Sequence, residues 1–513
     1  NICPANAPLK VFDVSAIDIT MWLDRFGVHD PTAHMYVLNS MIPAVRAQEA
    51  AGPSSLSIGL RDDPIQPLAI RANQGDCVVI NFTNSASAAV GSNNNNYGMH
   101  IDGLVFQTSS SGDAIGNNPS SAVPTGGTIT YTFWIPNDPT LEGAHYIHPG
   151  PANRQAVAHG LFGTLNVEPP GSVYRNPTTG LPQLSGWEAD IIPGNGKAAF
   201  RENVQLYHEI GNEHETNVPV DITGSPLPTI DPHTHAYRPG SRAINYRSEP
   251  FSDRLDYAPE QKSVVYGSYT FADTSNVIPR GYIGDPTKIR LVHGGSEVFH
   301  VFHLHGGSVR WRFNPLADPT YDYSHTGINK WPVDIESESA RLDSQSMGPG
   351  EAFNLEIENG AGGGQVGAGE FLFHCHIAHH YFGGMWGYWR VFDTLQPDLL
   401  PLPDRTPEPV AVDSSELIGK TINGQTITAE NLDAWIRPQL PTQGVTKDIN
   451  VVTGDTADQD ASVWDWAVDP ATGLYLGEPD DIYTINGGPL DGQLWPDYAN
   501  VVPGRPSALI VDQ

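Results

Sequence analysis

The stretch Phe373–Met385, FHCHIAHHYFGGM, decides the fold, because it places one cysteine, four histidines and one methionine within thirteen residues. Side chains alternate between the two faces of an extended chain, so Cys375 points away from His374 and His376. One strand can therefore contact two different sites. Thiolate and thioether ligands favour Cu(I) and imidazole suits both oxidation states, so this run predicts a copper site of the blue-copper type.

A second run, Val298–Gly306, has the sequence VFHVFHLHG and repeats this division between faces. In an extended chain His303 and His305 share one face, and His300 lies on the other. We therefore expect His300 to complete the site of Cys375. His303 and His305 would then join the two histidines that flank Cys375.

The combined spacing, H-x-x-H-x-H followed by H-C-H-x-x-x-H-x-x-x-x-M, resembles the two C-terminal copper motifs of the multicopper oxidase family. The resemblance implies cupredoxin domains, a type 1 copper that accepts electrons from a substrate, and a trinuclear cluster that reduces O2 to water. It implies four coppers per active unit: one type 1, one type 2 and two type 3. Carried over by position, the type 1 ligands are His300, Cys375, His380 and Met385. The cluster ligands from this half are His303, His305, His374 and His376.

The family takes the other cluster ligands from two H-x-H pairs in its first domain, and here this chain departs from the pattern. The segment Tyr97–Gly103, YGMHIDG, contains His100 but has Asp102 where the second imidazole is expected. We expect Asp102 to be a catalytic carboxylate that orients a ligand or supplies protons during oxygen reduction. Electrons would reach the cluster from Cys375 through its two histidine neighbours.

At the place of the second pair stands Gly143–Gly150, GAHYIHPG, in which His145 and His148 cannot share one strand face without a bulge. Eleven residues after His148 comes His159. Together with His100 and the four C-terminal imidazoles, these make eight histidines, the number that the family's cluster uses. We therefore expect His159 to replace the ligand lost at Asp102. The alternative is an incomplete cluster that does not reduce oxygen.

Composition agrees with an all-β chain of cupredoxin-type Greek-key β-sandwiches, at least two, because 52 glycines and 44 prolines separate short apolar runs. The length of 513 residues exceeds one ordinary core. We expect a first cupredoxin domain over residues 1–170, a linker over 171–199 and the type 1 copper domain over 200–395. Residues 396–513 contain no copper ligand and form a β-rich region, with a partial third cupredoxin domain as one alternative.

The formal net charge of −31 argues against a nucleic-acid partner, because phosphates would be repelled. No apolar stretch approaches the roughly 20 residues that a membrane span needs. If Cys375 holds copper, Cys3 and Cys77 are left to pair as a disulfide, which is typical of an oxidising compartment. Asn1 in place of Met is consistent with removal of a signal segment. We therefore predict a secreted protein, extracellular or periplasmic.

The expected partners are O2 and a small-molecule or metal-ion electron donor. A laccase-like oxidase of phenols or aromatic amines is favoured. The alternatives are an oxidase of Mn(II) or another metal ion, since an acidic surface collects cations, and a type-1-only electron-transfer protein. Related two-domain oxidases build the cluster between the subunits of a trimer, so a homotrimer is one expectation and a three-domain monomer the other.

Overall fold

The structure is a computed structural model, and it describes residues 2–61, 63–87, 95–150, 153–194, 196–256, 273–305, 341–358, 368–392 and shorter pieces between and after these ranges. The described chain is mostly β-strand, in curled sheets typical of cupredoxin β-sandwiches, which confirms the predicted fold class. Short helices connect the strands. The four α-helices of the described residues are α1 Ile42–Ala51, α2 Arg154–Ala158, α3 Phe251–Leu255 and α4 Ala378–Phe382.

The first sandwich consists of a five-stranded sheet, in the order β2-β1-β4-β7-β6, and a four-stranded sheet, in the order β3-β9-β8-β5. Its strands are β1 Leu9–Trp22, β2 His29–Leu38, β3 Leu68–Asn73, β4 Cys77–Asn84, β5 His100–Ile101, β6 Val105–Phe106, β7 Thr128–Trp134, β8 Gly143–His148 and β9 Gly163–Glu168. In β4 the alternate residues Val78, Ile80 and Phe82 are buried in the core between the two sheets. This period of two explains why the segment is a strand.

The second sandwich has one sheet in the order β10-β11-β12-β15-β20-β17-β18, with β13 beside β12, and one in the order β14-β22-β21-β16-β19. Its strands are β10 Val173–Arg175, β11 Glu188–Ile192, β12 Phe200–Glu209, β13 Arg242–Ile244, β14 Arg280–Tyr282, β15 Thr287–His293, β16 His300–Leu304, β17 Trp311–Arg312, β18 Arg341–Leu342, β19 Ser344–Met347, β20 Ala352–Ile357, β21 Gly369–Cys375 and β22 Trp386–Phe392. The segment 171–199, expected to be a linker, therefore contributes two strands to this sandwich. The other domain bounds stay a prediction.

The C-terminal region is described only in short strands. These are β23 Thr394–Leu395, β24 Val410–Ala411, β25 Thr421–Ile422, β26 Gln425–Thr426, β27 Thr484–Ile485 and β28 Gln493–Leu494. They pair two by two, β23 with β24, β25 with β26 and β27 with β28. Most of the region expected to hold a partial third sandwich lies outside the described residues.

The predicted disulfide is confirmed. Cys3 and Cys77 are bonded, with their Cα atoms 5.8 Å apart, and the bond fastens the N-terminal segment to the start of β4. Cys375 is the remaining cysteine, and it is buried and free. No helix in the described part of the chain is long and apolar enough to cross a membrane.

The two sandwiches share a buried interface that is both apolar and charged. Its apolar part joins residues of β1 and β2 to Val204 and Leu206 of β12 and Val292 of β15. Its charged part centres on Arg290, which donates through Nε to Glu202 at 2.9 Å and through Nη2 to Glu168 at 2.7 Å. All three side chains are fully buried, and burial raises the pKa of Glu168 well above its usual range, so Glu202 is the anion that Arg290 chiefly neutralises.

Replacing Arg290 with Met should lower the free energy of unfolding by about 3–5 kcal/mol, because the buried carboxylate of Glu202 loses a cation and that of Glu168 loses a hydrogen-bond donor. Chemical denaturation followed by fluorescence measures the change. The matched control is Arg154→Met, since Arg154 pairs with Glu297 at 3.3 Å but its side chain is 55% exposed. That change should cost less than about 1 kcal/mol. Equal losses of stability in the two variants would show that the buried ion pair of Arg290 contributes no more than an exposed one.

Candidate metal centre

The two histidine-rich segments are neighbouring antiparallel strands, β16 and β21. Their register pairs Phe302 with Cys375 and His303 with His374. Residues paired across an antiparallel sheet lie on the same face, and His300 shares the parity of Phe302. Cys375 and His300 therefore lie on one face of the sheet, and His303 and His374 lie on the other.

Three ligand atoms converge on the Cys375 face. The Sγ atom of Cys375 lies 3.3 Å from Nδ1 of His380 and 3.9 Å from Nδ1 of His300, and the two Nδ1 atoms are 3.1 Å apart. The helix α4 positions His380 directly after the strand. Met385 follows this helix, is fully buried, and its backbone accepts a hydrogen bond from the amide of Cys375 at 3.1 Å. We call these four residues the Cys375 site.

The four side chains of the Cys375 site are buried, and burial determines the protonation of the thiol and the imidazoles. Burial raises the pKa of the Cys375 thiol to about 11 and lowers the pKa of His380 to about 3. Burial also lowers the pKa of His300, further reduced by neighbouring histidines. Neutral imidazoles keep a lone pair for a metal, and a coordinated thiol is deprotonated outright. The protein therefore presents ligands that are uncharged until a cation replaces the thiol proton.

Two further groups, Glu209 and His293, lie next to His300, and no motif in the sequence singles them out. The Nε2 atom of His300 is 3.9 Å from Oε1 of Glu209, and the ring of His293 stacks on that of His300 with centroids 4.6 Å apart. Glu209 accepts the backbone amide of Val298 at 2.7 Å, which fixes the turn that leads into β16. Glu209 is the last residue of β12 and His293 the last of β15, and only the folded structure brings them to His300.

The opposite face carries the C-terminal histidine group, defined as His303, His305, His374 and His376. The Nε2 atoms of His305 and His374 are 2.9 Å apart, and the ring centroid of His303 is 4.9 Å from that of His376. Nδ1 of His374 faces the carbonyl oxygen of Cys375 at 2.8 Å, which leaves Nε2 for a metal. His303, His305 and His374 form one set of converging ligand atoms.

The first sandwich brings together His100, Asp102 and His148, which we call the N-terminal group. His100 and His148 pair across β5 and β8, and Oδ1 of Asp102 lies 3.4 Å from Nε2 of His100 and 3.2 Å from Nε2 of His148. The Nδ1 atoms face the carbonyl oxygens of Ser111 at 2.5 Å and Pro149 at 2.7 Å. Both Nε2 atoms therefore point toward the carboxylate. The Asp102 carboxylate therefore lies on the Nε2 side of both rings, the side that is available for a metal.

His145 lies on the same strand as His148 but its ring is engaged elsewhere. Its Nδ1 contacts the carbonyl oxygen of Asp102 at 2.8 Å and its Nε2 that of Leu141 at 2.9 Å. No ring nitrogen of His145 is left over for a metal in this arrangement. The ring instead holds the backbone of Asp102 in place.

His159 also has both ring nitrogens occupied, and its partners are carboxylates. Its Nδ1 lies 2.6 Å from Asp30 and its Nε2 lies 3.1 Å from Glu215, with 1% of the side chain exposed. Burial alone would lower the pKa of His159, but the two carboxylates outweigh burial and raise the pKa to about 10. The structure therefore places His159 as a buried imidazolium between two anions. The sequence could not show this, because Asp30 is 129 residues away.

Residues 56–172 match a protein-family model described as multicopper oxidase. This stretch is similar to a domain of that family. The match contains the whole N-terminal group together with His145 and His159. No curated protein matches the chain.

Solved structures with a similar fold include copper proteins of several kinds. A multicopper oxidase is 16% identical, with 76% of this chain aligned to 91% of that one at a TM-score of 0.42. The blue copper oxidase from Nitrosomonas europaea is 18% identical, over 75% of this chain and 86% of that one, at 0.41. The copper nitrite reductase from the same organism is 15% identical, over 76% and 96%, at 0.43.

Replacing His159 with Gln should lower the free energy of unfolding by about 3–5 kcal/mol at pH 6 without changing the copper content. The folded pKa lies above the ordinary value of 6.5, so this stabilisation is complete below pH 6.5 and is lost as the pH rises toward 10. The two proteins should therefore converge in stability at alkaline pH. Denaturation curves at pH 6, 8 and 10 measure this.

The control is His233→Gln, because His233 pairs with Asp256 at 2.7 Å while its side chain is 26% exposed. This variant should lose less than about 1 kcal/mol. A His159→Gln protein that loses copper while keeping its stability would instead make His159 a ligand.

Proposed function

We propose that the chain is a multicopper oxidase that couples one-electron oxidation of a reducing substrate to four-electron reduction of O2 to water. The observation that carries this proposal is the β16–β21 pair, which presents a thiol and imidazoles on one face and an imidazole group on the other. The donor set of the Cys375 site fits copper, since a soft thiolate, two neutral imidazoles and a thioether are the ligands that copper favours in both oxidation states. His300, Cys375, His380 and Met385 would hold the type 1 ion.

The C-terminal histidine group and the N-terminal group would together hold the three other coppers. Copper, when bound, supplies one-electron redox chemistry at the Cys375 site and oxygen reduction at the cluster. Cys375 is covalently joined to His374 and His376, so the chain itself provides a short bonded route between the two faces. Asp102, with its side chain 45% exposed beside two imidazoles, is placed where it could also take part in proton supply.

The donor that we favour is a phenol or an aromatic amine. Phe299, directly before the buried His300, is 58% exposed, and His379, directly before His380, is also exposed. An aromatic molecule could therefore approach the edge of the Cys375 site along apolar surface. A metal-ion donor such as Mn(II) is the alternative, supported by the net charge of −31, which concentrates cations near the surface.

A second function, electron transfer by the Cys375 site alone, is favoured by one observation. The N-terminal group offers two imidazoles where the family pattern has four, since His145 and His159 are engaged with other residues. Copper content separates the two functions: about four coppers per active unit support the oxidase, and one supports the carrier.

The disulfide between Cys3 and Cys77 supports a location in an oxidising compartment, extracellular or periplasmic. We also infer a homotrimer. The N-terminal group and the C-terminal histidine group are separate sets within the described residues of one chain. Contact between the first domain of one subunit and the second domain of the next would complete a cluster at each interface.

Cys375→Ser should abolish the blue absorption band and lower the oxidase activity more than about 100-fold, because it removes a direct ligand rather than a ligand's neighbour. Visible spectra and oxygen consumption measure the two effects, and a circular dichroism spectrum shows that the fold is kept. His379→Ala is the control, since His379 is an exposed neighbour of the proposed ligands. An unchanged visible spectrum in Cys375→Ser would contradict the assignment.

Subunit mixing tests the trimer. His148→Ala disables the N-terminal group and His303→Ala the C-terminal histidine group, so each protein alone should be inactive. When the two are assembled together from unfolded chains, roughly a quarter of the interfaces in a random trimer combine two intact halves and should be active. A cluster closed within one chain would give no recovery on mixing.

A further inference from the structure

The carboxylate of Asp102 stands where the family pattern has an imidazole. We propose that Asp102 is itself a metal ligand, so that the first domain holds one copper ion through two histidines and one carboxylate. This inference rests on the proposed function for the identity of the metal, but its geometry belongs to the first domain alone. This role differs from the one expected from the sequence, in which Asp102 orients a ligand or supplies protons.

Three potential ligand atoms converge in the N-terminal group. One oxygen of Asp102 lies 3.4 Å from Nε2 of His100 and 3.2 Å from Nε2 of His148, so three ligand atoms face a common centre. A carboxylate that only oriented an imidazole would contact the nitrogen remote from the metal. Here the remote nitrogens, both Nδ1, contact the carbonyl oxygens of Ser111 and Pro149 instead.

The backbone around Asp102 is held in place by its neighbours. The backbone amide of Asp102 donates to the carbonyl oxygen of Tyr146 at 3.0 Å, and its carbonyl oxygen contacts the ring of His145 at 2.8 Å. The next residue, Gly103, has a φ of +76°, and a Cβ there would lie 3.1 Å from Nδ1 of His145. Two strands and a glycine turn therefore hold the carboxylate against the histidines.

The rings of His100 and His148 are packed in fixed orientations. The ring of His148 stacks on that of Tyr146, with centroids 4.9 Å apart, and the ring of His100 meets Phe106 edge to face at 5.3 Å. A site prepared in this way loses little rotamer entropy when it binds a cation. The side chains of His100 and His148 are 19% and 22% exposed, so an ion can enter from one side.

The chemistry that follows is a metal site with two neutral ligands and one anionic ligand. A carboxylate adds a negative charge that an imidazole lacks, and it thereby favours the more positive oxidation state of the ion. The proposed cluster would then have six imidazoles and one carboxylate. The divalent ion with the highest affinity for such a set among the first-row metals is Cu(II).

The experiment uses the full chain with the other copper ligands removed, so that a single added Cu(II) reports on the N-terminal group. The background carries seven substitutions, Cys375→Ser, His300→Ala, His303→Ala, His305→Ala, His374→Ala, His376→Ala and His380→Ala, which remove every proposed thiol and imidazole ligand outside the N-terminal group. Titration with Cu(II) gives the affinity, and electron paramagnetic resonance counts the nitrogen ligands through their hyperfine splitting. We expect one tightly bound Cu(II) with two nitrogen ligands.

In this background Asp102→Asn keeps the shape of the side chain and should weaken Cu(II) binding by about tenfold or more. Asp102→His should retain binding and add a third nitrogen to the spectrum, which a residue that does not contact the ion could not do. The control is Asp113→Asn, since the Asp113 carboxylate lies 3.8 Å from the Nδ1 side of His100. It should leave the affinity and the nitrogen count unchanged.

Three results would overturn the proposal: no tight Cu(II) in the background protein, unchanged affinity in Asp102→Asn, or two nitrogens in Asp102→His. Failure of the oxidase proposal is distinguishable, because it appears in the unmodified protein as a missing blue band. The background protein lacks that site by design, so its copper titration is independent of that result.

Discussion

The pairing of β16 with β21 is the constraint on which the molecule's chemistry depends. Antiparallel strands keep paired residues on one face, and the alternation along each strand separates neighbours in the sequence. Phe302 opposite Cys375 and His303 opposite His374 therefore place two different groups of potential ligands on opposite faces of the sheet. A slip of one residue in this register would exchange the faces and mix thiol and imidazole ligands in both groups. The core around Phe302, Phe373 and Met347 fixes the register by packing.

Much of this half of the molecule could be predicted from the sequence, because every determinant is local. The parity of His300 against His303, and of Cys375 against its neighbours, follows from strand geometry alone. The disulfide followed from the number of cysteines. The strands β10 and β11 in the expected linker were missed, since strands of three and five residues have little periodicity to detect.

The N-terminal half was harder to predict because its determinants are distant in the sequence. Counting histidines to eight selected His145 and His159, but a count does not show what else a histidine contacts. His159 is enclosed by Asp30 and Glu215, which come from different parts of the chain. Asp102 was expected to orient a ligand or supply protons, and only the folded structure shows that its carboxylate lies beside the ring nitrogens of His100 and His148.

The interface that centres on Arg290 also bears on modularity. Glu168 of β9 accepts a hydrogen bond from Arg290 of β15, which belongs to the other sandwich. An excised first domain would expose this carboxylate together with the apolar residues of β1 and β2 that pack on Val204 and Val292. Fusion or domain exchange with a relative would therefore have to transfer both sides of this interface together.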